Sequence, residues 1–166
     1  MIDVNRLSRR YRVRVLDVSD LEDIFELCQG NTLFYRYCEA QPTREQILSD
    51  MRITPPGVDH RDKYYIGFYQ DGDLVAVMDL IDGYPAPEIA FIGFFMVDVR
   101  YQGKQVGTAI ISELAACLRA DGKTALRLAI DKGNPQSTHF WQKNGFRVLS
   151  EVERDGWTAL VAERTL

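Results

Sequence analysis

The stretch "EIAFIGFFMV", residues 88–97, constrains the fold of this chain more than any other. It is apolar almost without interruption, where a strand with one wet face would alternate. Such a run suits a central strand covered on both faces. A sheet covered on both faces needs helices on each side, and the remaining sequence has to supply them. Gly93 interrupts the run, which points to a bulge or a close backbone approach, with simple packing against a large neighbour as the alternative.

The flanking patterns supply both strands and helices. In "YRVRVLDV", residues 11–18, Val13 and Val15 alternate with charge as in a strand. Ser19 or Asp20 then caps a helix that carries Leu21, Ile24, Phe25, Leu27 and Cys28 at helical spacing and stops at Gly30. Residues 31–42 are aromatic and irregular. Thr43, with Gln46 three residues on, opens a second short helix through Met51. "KYYIGFYQ" and "LVAVMDLID" read as strands joined by a tight hairpin at Asp71-Gly72. Beyond the central run a helix is expected from about Thr108 to Asp121, ended by Gly122. The strand "TALRLAID" follows, then a helix opened by Asn134-Pro135 and stopped at Asn144-Gly145. Two last strands, about 146–154 and 157–165, meet at Asp155-Gly156. The order β-α-α-β-β-β-α-β-α-β-β implies one α+β domain over residues 1–166. Its sheet is mixed and mostly antiparallel, with about seven strands flanked by about four helices.

Composition excludes several function classes. With 166 residues, 46% of them hydrophobic, the chain can bury a real core in a single domain. A net charge of −4 gives no reason to expect a nucleic-acid partner, which favours basic stripes. No apolar run approaches the ~18–20 residues of a membrane span. The N-terminal "MIDVNRLSRRYRV" is basic but lacks an apolar segment after it, so no secretory signal is read and a cytoplasmic location is expected. Cys28, Cys38 and Cys117 are widely spaced and read as free thiols. His60 and His139 are not clustered with other ligands, so no metal is expected.

The chemistry concentrates after the central strand. In "VDVRYQGKQVGTAI" a strand runs into a glycine-containing loop and then into a helix, whose first N–H groups lack internal partners and attract phosphate. The spacing fits neither a Walker A loop nor a dinucleotide fingerprint. It resembles motif A of the GNAT superfamily of N-acetyltransferases, Q/R-x-x-G-x-G/A: Gln102 matches the first position and Gly107 the last, while Gln105 departs from the middle glycine. "NPQSTHFWQKNGF", residues 134–146, resembles the superfamily's motif B, an asparagine followed by an aromatic-bearing helix that closes in Gly-Phe.

That resemblance implies the acyl-CoA N-acyltransferase fold, with acetyl-CoA as cosubstrate in a splay between two central strands. Its pyrophosphate would rest on the backbone of Gln102, Gly103, Lys104, Gln105, Val106 and Gly107, with Thr108 at the helix start. Its pantetheine would pair with the backbone near Phe95, Met96 and Val97. Asn134 would bond the cofactor arm, beside its capping role, and a backbone N–H near Val97 would polarise the acyl carbonyl. Gln105 is expected to stay right-handed as the first turn of the helix, so that Gln105→Gly changes acetyl-CoA affinity by less than about tenfold.

Catalysis needs a base, because an amine of pKa near ~10.4 is almost wholly protonated at neutral pH. Glu88 at the head of the central strand is the first candidate by resemblance, with Asp79, Asp82 and His139 as alternatives. The superfamily's tyrosine acid falls at Trp141, which cannot donate in that way; water or Tyr101 would stand in, and core packing is the other reading of Trp141. The segment between the first two strands would line the acceptor side, with Phe34, Tyr35 and Tyr37 as a floor. Arg36, Arg44 and Arg61 would hold a carboxylate or phosphate, whereas Asp79, Asp82 and Glu88 would favour a cationic amine. The expected activity is acetyl transfer to a primary amine of a small molecule or peptide, by a monomer or homodimer. The alternative is a CoA-binding module without useful catalysis, acting as a sensor or partner protein.

Overall fold

The computed structural model describes residues 1–38, 40–154 and 156–166. Its elements in chain order are β1 (Arg12–Val15), α1 (Leu21–Gly30), α2 (Thr32–Tyr35), α3 (Arg44–Asp50), β2 (Lys63–Gln70), β3 (Asp73–Asp82) and β4 (Ile89–Val97). Then come α4 (Val106–Ala120), β5 (Ala125–Asp131), α5 (Pro135–Lys143), β6 (Arg147–Arg154) and β7 (Trp157–Thr165). All seven strands form one sheet in the order β1-β2-β3-β4-β5-β7-β6. Every pairing is antiparallel except β4 with β5, the pair linked by the α4 crossover.

The expected α+β sheet is therefore present, with one helix more than the sequence pattern gave. The addition is α2, a single turn inside the aromatic stretch read as irregular. Strand β1 is shorter than expected, because the Asp17 carboxylate accepts from the Ser19 N–H and turns the chain into a 3-10 turn before α1. Thr43 caps α3 through Gln46 N, and Asn134 caps α5 through Ser137 N, as their spacing predicts. The β2–β3 hairpin turns at Asp71 and Gly72 with φ of 52° and 90°, the paired positive values of a type I′ turn. The expected turn at Asp155-Gly156 falls partly outside the described residues.

Helices cover both faces of the sheet. On one, α4 and α5 press Ile110, Ile111, Leu114, Leu118 and Trp141 onto Ile66, Met78, Leu126 and Leu128. On the other, α1 and α3 bury Ile24, Leu27, Cys28 and Ile47 against Tyr65, Val77 and Met96. Each fully buried aliphatic side chain contributes about 1.5–3 kcal/mol, so the larger α4 layer dominates the core. The central strand is more buried in its first half, where Ile89, Ala90 and Ile92 are buried and Phe91 partly so, than in its second, where Met96 is buried, Phe94, Phe95 and Val97 are partly so and Gly93 is exposed. Its second half belongs to the site.

Candidate active site

Three local features open the sheet at one place. Strands β4 and β5 pair from Ile89–Ala125 to Ile92–Leu128, and no pairing is recorded beyond that point. Opposite this point the register of β3 and β4 slips, with Asp79 facing Phe94 and Leu80 facing Ile92, which leaves Gly93 as the extra residue of a bulge. A Cβ on Gly93 would lie 2.5 Å from Asp79 Oδ2, so both sequence readings of this glycine hold, bulge and close approach. Asp79 is in turn held by Lys63, whose Nζ lies 2.7 Å from both carboxylate oxygens. The bulge turns the end of β4 away from β5 and leaves the β5-facing edge of residues 93–97 without a strand.

Two cavities meet in this splay. One, of about 410 Å³, runs along Phe95, Met96 and Val97 to Gln102, Gly103 and the start of α4, with Gln136 and Phe140 of α5 as its far wall. The other, of about 380 Å³, lies toward α1 to α3 and is lined by Tyr35, Asp50, Tyr65, Phe94, Ala129 and Asp131, among others. Phe34, Phe95, Ser137 and Trp141 line both.

The first cavity ends on the loop that precedes α4. Ala109 N bonds Gln105 O at 2.9 Å, the first hydrogen bond of the helix, so the N–H groups of Val106, Gly107 and Thr108 have no acceptor within it. Gln105 takes φ 64°, ψ 10°, the left-handed conformation, and not the right-handed one expected for it. Gly103 in the same turn is also left-handed, at φ 70°, so the loop enters the helix through two left-handed residues. Gly107 is a glycine for a separate reason: a Cβ there would come within 3.0 Å of the Phe140 ring.

A clamp fixes the strand end above this loop. Asn31, buried between α1 and α2, donates from Nδ2 to Leu27 O at 2.9 Å and Val97 O at 3.2 Å. Gln102 donates to the same Val97 carbonyl at 2.9 Å and to Asn31 Oδ1. The first residue of motif A thus locks the loop to the end of β4.

Two observations test whether a CoA-type ligand fits. The free edge of β4 offers main-chain groups to an extended amide chain, and α4 offers N–H groups to phosphate. Asn134 is almost fully buried, and its Nδ2 has no hydrogen-bond partner among the described residues, although its Oδ1 is used by the cap. A buried donor left unpaired costs about 1–3 kcal/mol, which an acceptor on the ligand would recover. The residues fit.

The expected catalytic side chains are placed differently from one another. Glu88 precedes the first residue of β4, at the end of the strand opposite the cavities, and it is exposed and lines neither. About nine residues of strand, ~30 Å, separate it from Val97. Asp82 stands at the same far end, paired with Lys123 and the N-terminal amine. His139 lies exposed on α5 and lines neither cavity. Tyr101 lines the first cavity, but its hydroxyl donates to Asp73 at 2.8 Å. Trp141 is a core residue, edge-on to Phe140 and Phe146, that also lines both cavities. None of the three arginines lines either cavity: Arg36 is exposed, Arg44 pairs with Glu22 over the Phe25 ring, and Arg61 pairs with Asp59.

Two carboxylates that the sequence did not single out line the second cavity. Asp131 ends β5, and continuing the Ile92–Leu128 register sets it about level with Phe95 across the splay. Burial pushes its carboxyl above the usual range, with hydrogen bonds from Trp157 and the Cys38 thiol pulling the other way. Asp50 ends α3, where burial likewise raises its carboxyl against a Gln46 hydrogen bond of 2.7 Å and the Lys63 charge. Burial also lifts the thiols of Cys28 and Cys38 to about 11, so they stay protonated at neutral pH. Asp131 could have been found from the sequence, because ligands sit outside the carboxyl ends of parallel strands. No helix among the described residues is long and apolar enough to cross a membrane.

Comparison with known proteins agrees with this fold. Residues 21–146 match the acetyltransferase (GNAT) family. An acetyltransferase from Thermus thermophilus superposes with a TM-score of 0.75 at 21% identity, over 94% of this chain and 97% of the other. The PaiA N-acetyltransferase of Thermoplasma acidophilum, solved with coenzyme A, gives 0.68 at 18% identity over 94% and 99%. A spermidine N-acetyltransferase chimera with a Vibrio cholerae part gives 0.68 at 15% identity over 94% and 95%. No curated protein sequence matches.

Proposed function

The chain belongs to the GNAT family of acetyltransferases, and on that premise we propose that it moves the acetyl group of acetyl-CoA to a primary amine by direct attack on the thioester. The observation that carries this reading is the pair of cavities meeting at Phe95 and Trp141, one leading to the N-terminus of α4 and the other to Asp131. Two substrates can then reach one point from different sides. On this reading residues 1–166 form one acetyltransferase domain.

The N–H groups at the start of α4 would hold the pyrophosphate, and the free edge of β4 the pantetheine. Asn134 Nδ2 would donate to the same arm, and the Val97 N–H would face the acyl oxygen. The bound cosubstrate supplies an electrophilic carbonyl and a thiol of pKa near ~8.5 as leaving group. Asp131, made more basic by burial, takes the proton from the incoming ammonium and leaves the amine free to attack. CoA departs tolerably as thiolate, so the absence of an acidic side chain at Trp141 is tolerated, and water serves in place of Tyr101, whose proton is committed to Asp73. Asn31 and Gln102 position the Val97 peptide and do not touch the reacting atoms.

Release of free thiol from acetyl-CoA over a panel of amines tests the assignment. Asp131→Asn is expected to lower kcat/KM for the amine by about 10²–10⁴ with acetyl-CoA binding retained, and Glu88→Gln to leave turnover unchanged. The indole at Trp141 favours a second reading, a CoA-binding module without catalysis. Tight acetyl-CoA binding by calorimetry with no thiol release from any amine would select it.

A further inference from the structure

We infer that the acceptor is a linear diamine, held by its distal ammonium on Asp50 while its other nitrogen reacts beside Asp131. This rests on the transferase reading above and narrows it to a substrate class. The acceptor-side cavity is lined by two carboxylates, Asp50 and Asp131, one at the end of α3 and the other at the end of β5. Tyr65 of β2 also lines it, so its lining reaches across the sheet from β2 to β5. Phe34, Tyr35, Tyr65 and Phe94 in the same lining suit an uncharged methylene chain.

The charges favour a dication. No arginine or lysine lines this cavity among the described residues. Lys63, the nearest cation, is committed to Asp79 through both carboxylate oxygens and is almost wholly buried. Among the described residues, Asp50 has the neutral Gln46 amide as its side-chain hydrogen-bond partner, and neither Asp50 nor Asp131 forms a salt bridge. A carboxylate-bearing acceptor would meet Asp50 without a counter-charge, so an amino acid of equal length is repelled where a diamine is held.

The span sets the length. Tyr65 on β2 and the β4–β5 splay are about two and a half strand spacings apart, ~12 Å. Taking that span for the reach from the Asp50 side to the splay, and allowing about 3 Å for one ammonium–carboxylate contact, leaves ~9 Å between the two nitrogens, about the reach of six methylenes.

The test compares hexylamine, hexamethylenediamine and aminohexanoate, then a series of linear diamines from butane to octane, by thiol release and by mass of the product. The diamine is expected to exceed the monoamine in kcat/KM by about tenfold to a hundredfold, with the amino acid poorest and an optimum near the middle of the series. In Asp50→Asn the diamine-to-monoamine ratio is expected to fall to about one, and in Asp50→Glu to persist with the optimum shifted to a shorter diamine. Thermal melting of both variants checks that they fold, and the length dependence in the native protein stands independently of either. Equal rates for monoamine and diamine, or a preference for the amino acid, would overturn this inference and leave the transferase reading standing. No thiol release with any amine would overturn both.

Discussion

At the scale of single residues, Gln105 shows how a local rule can be obeyed at a cost. A non-glycine residue at φ 64° carries about 1–2 kcal/mol of strain, because its Cβ crowds the following carbonyl. Glycine would relieve that strain, offset in part because its freer unfolded chain loses more entropy on folding. Gln105→Gly is therefore expected to raise unfolding stability by about 0.5–1 kcal/mol in urea titration. Gln105→Val, whose branched Cβ tolerates this region least, should lower it. The middle position of motif A is thus a conformational requirement more than a contact. Its sequence signature was legible, but its left-handed geometry was not: Gln105 alone does not reveal that Gly103 has already turned the chain. Glu88 and Asp131 teach the complementary lesson. Both are acidic residues at the ends of neighbouring parallel strands, but Glu88 lies at an amino end and Asp131 at a carboxyl end, where the loop before α4 also begins.

At the scale of elements, β4 has two halves with different work. Up to Ile92 it is an ordinary buried strand, which its unbroken apolar run predicts. After Gly93 the same apolar residues line cavities, and hydropathy cannot distinguish a side chain facing the core from one facing a ligand site. The acidic pairing beneath the bulge was equally hidden, since Lys63 and Asp79 lie on different strands and meet only through the β2–β3 register. Gly93→Ala would push a methyl to within 2.5 Å of Asp79 Oδ2, so the bulge must shift or the buried ion pair must move. The expected result is a loss of about 1–3 kcal/mol in stability, from overpacking, together with weaker acetyl-CoA binding by calorimetry. Motifs A and B were readable because their functions depend on local backbone. The second cavity was not, because its walls come from α1, α2, α3, β2, β4, β5, α5 and β7, brought together only by the complete fold.

At the scale of the molecule, carboxylates join the N-terminal segment to the rest. Asp20 accepts from both Arg14 amino groups, at 2.9 and 2.6 Å, and this pairing holds its carboxyl below the usual range. Glu113 on α4 is partly buried, but hydrogen bonds from Ser8 and from the N–H groups of Arg9 and Arg10 outweigh that and also lower it. A depressed folded pKa means that the unfolded chain binds protons more readily. The stability from these two groups is therefore complete above their unfolded values of about 4 and is lost as pH falls through the lower folded values. The buried carboxyls raised by desolvation, Asp50, Asp79 and Asp131, act in the opposite sense, so the readout is a difference: below about pH 4 the denaturant midpoint should fall less in Glu113→Gln than in the native protein.

The sheet itself is unfinished: half of β4 has lost its neighbour, and a row of main-chain groups in the middle of the fold has no strand to meet. A ligand that lies there as an extended chain acts as the missing half-strand, so part of the architecture is borrowed from solution. On the proposed acetyl-CoA reading, the robustness of this protein follows the ligand concentration, rising by about 2.7 kcal/mol when the ligand stands at a hundred times its Kd. On that reading a cell with little acetyl-CoA would hold more of the polypeptide unfolded and open to degradation.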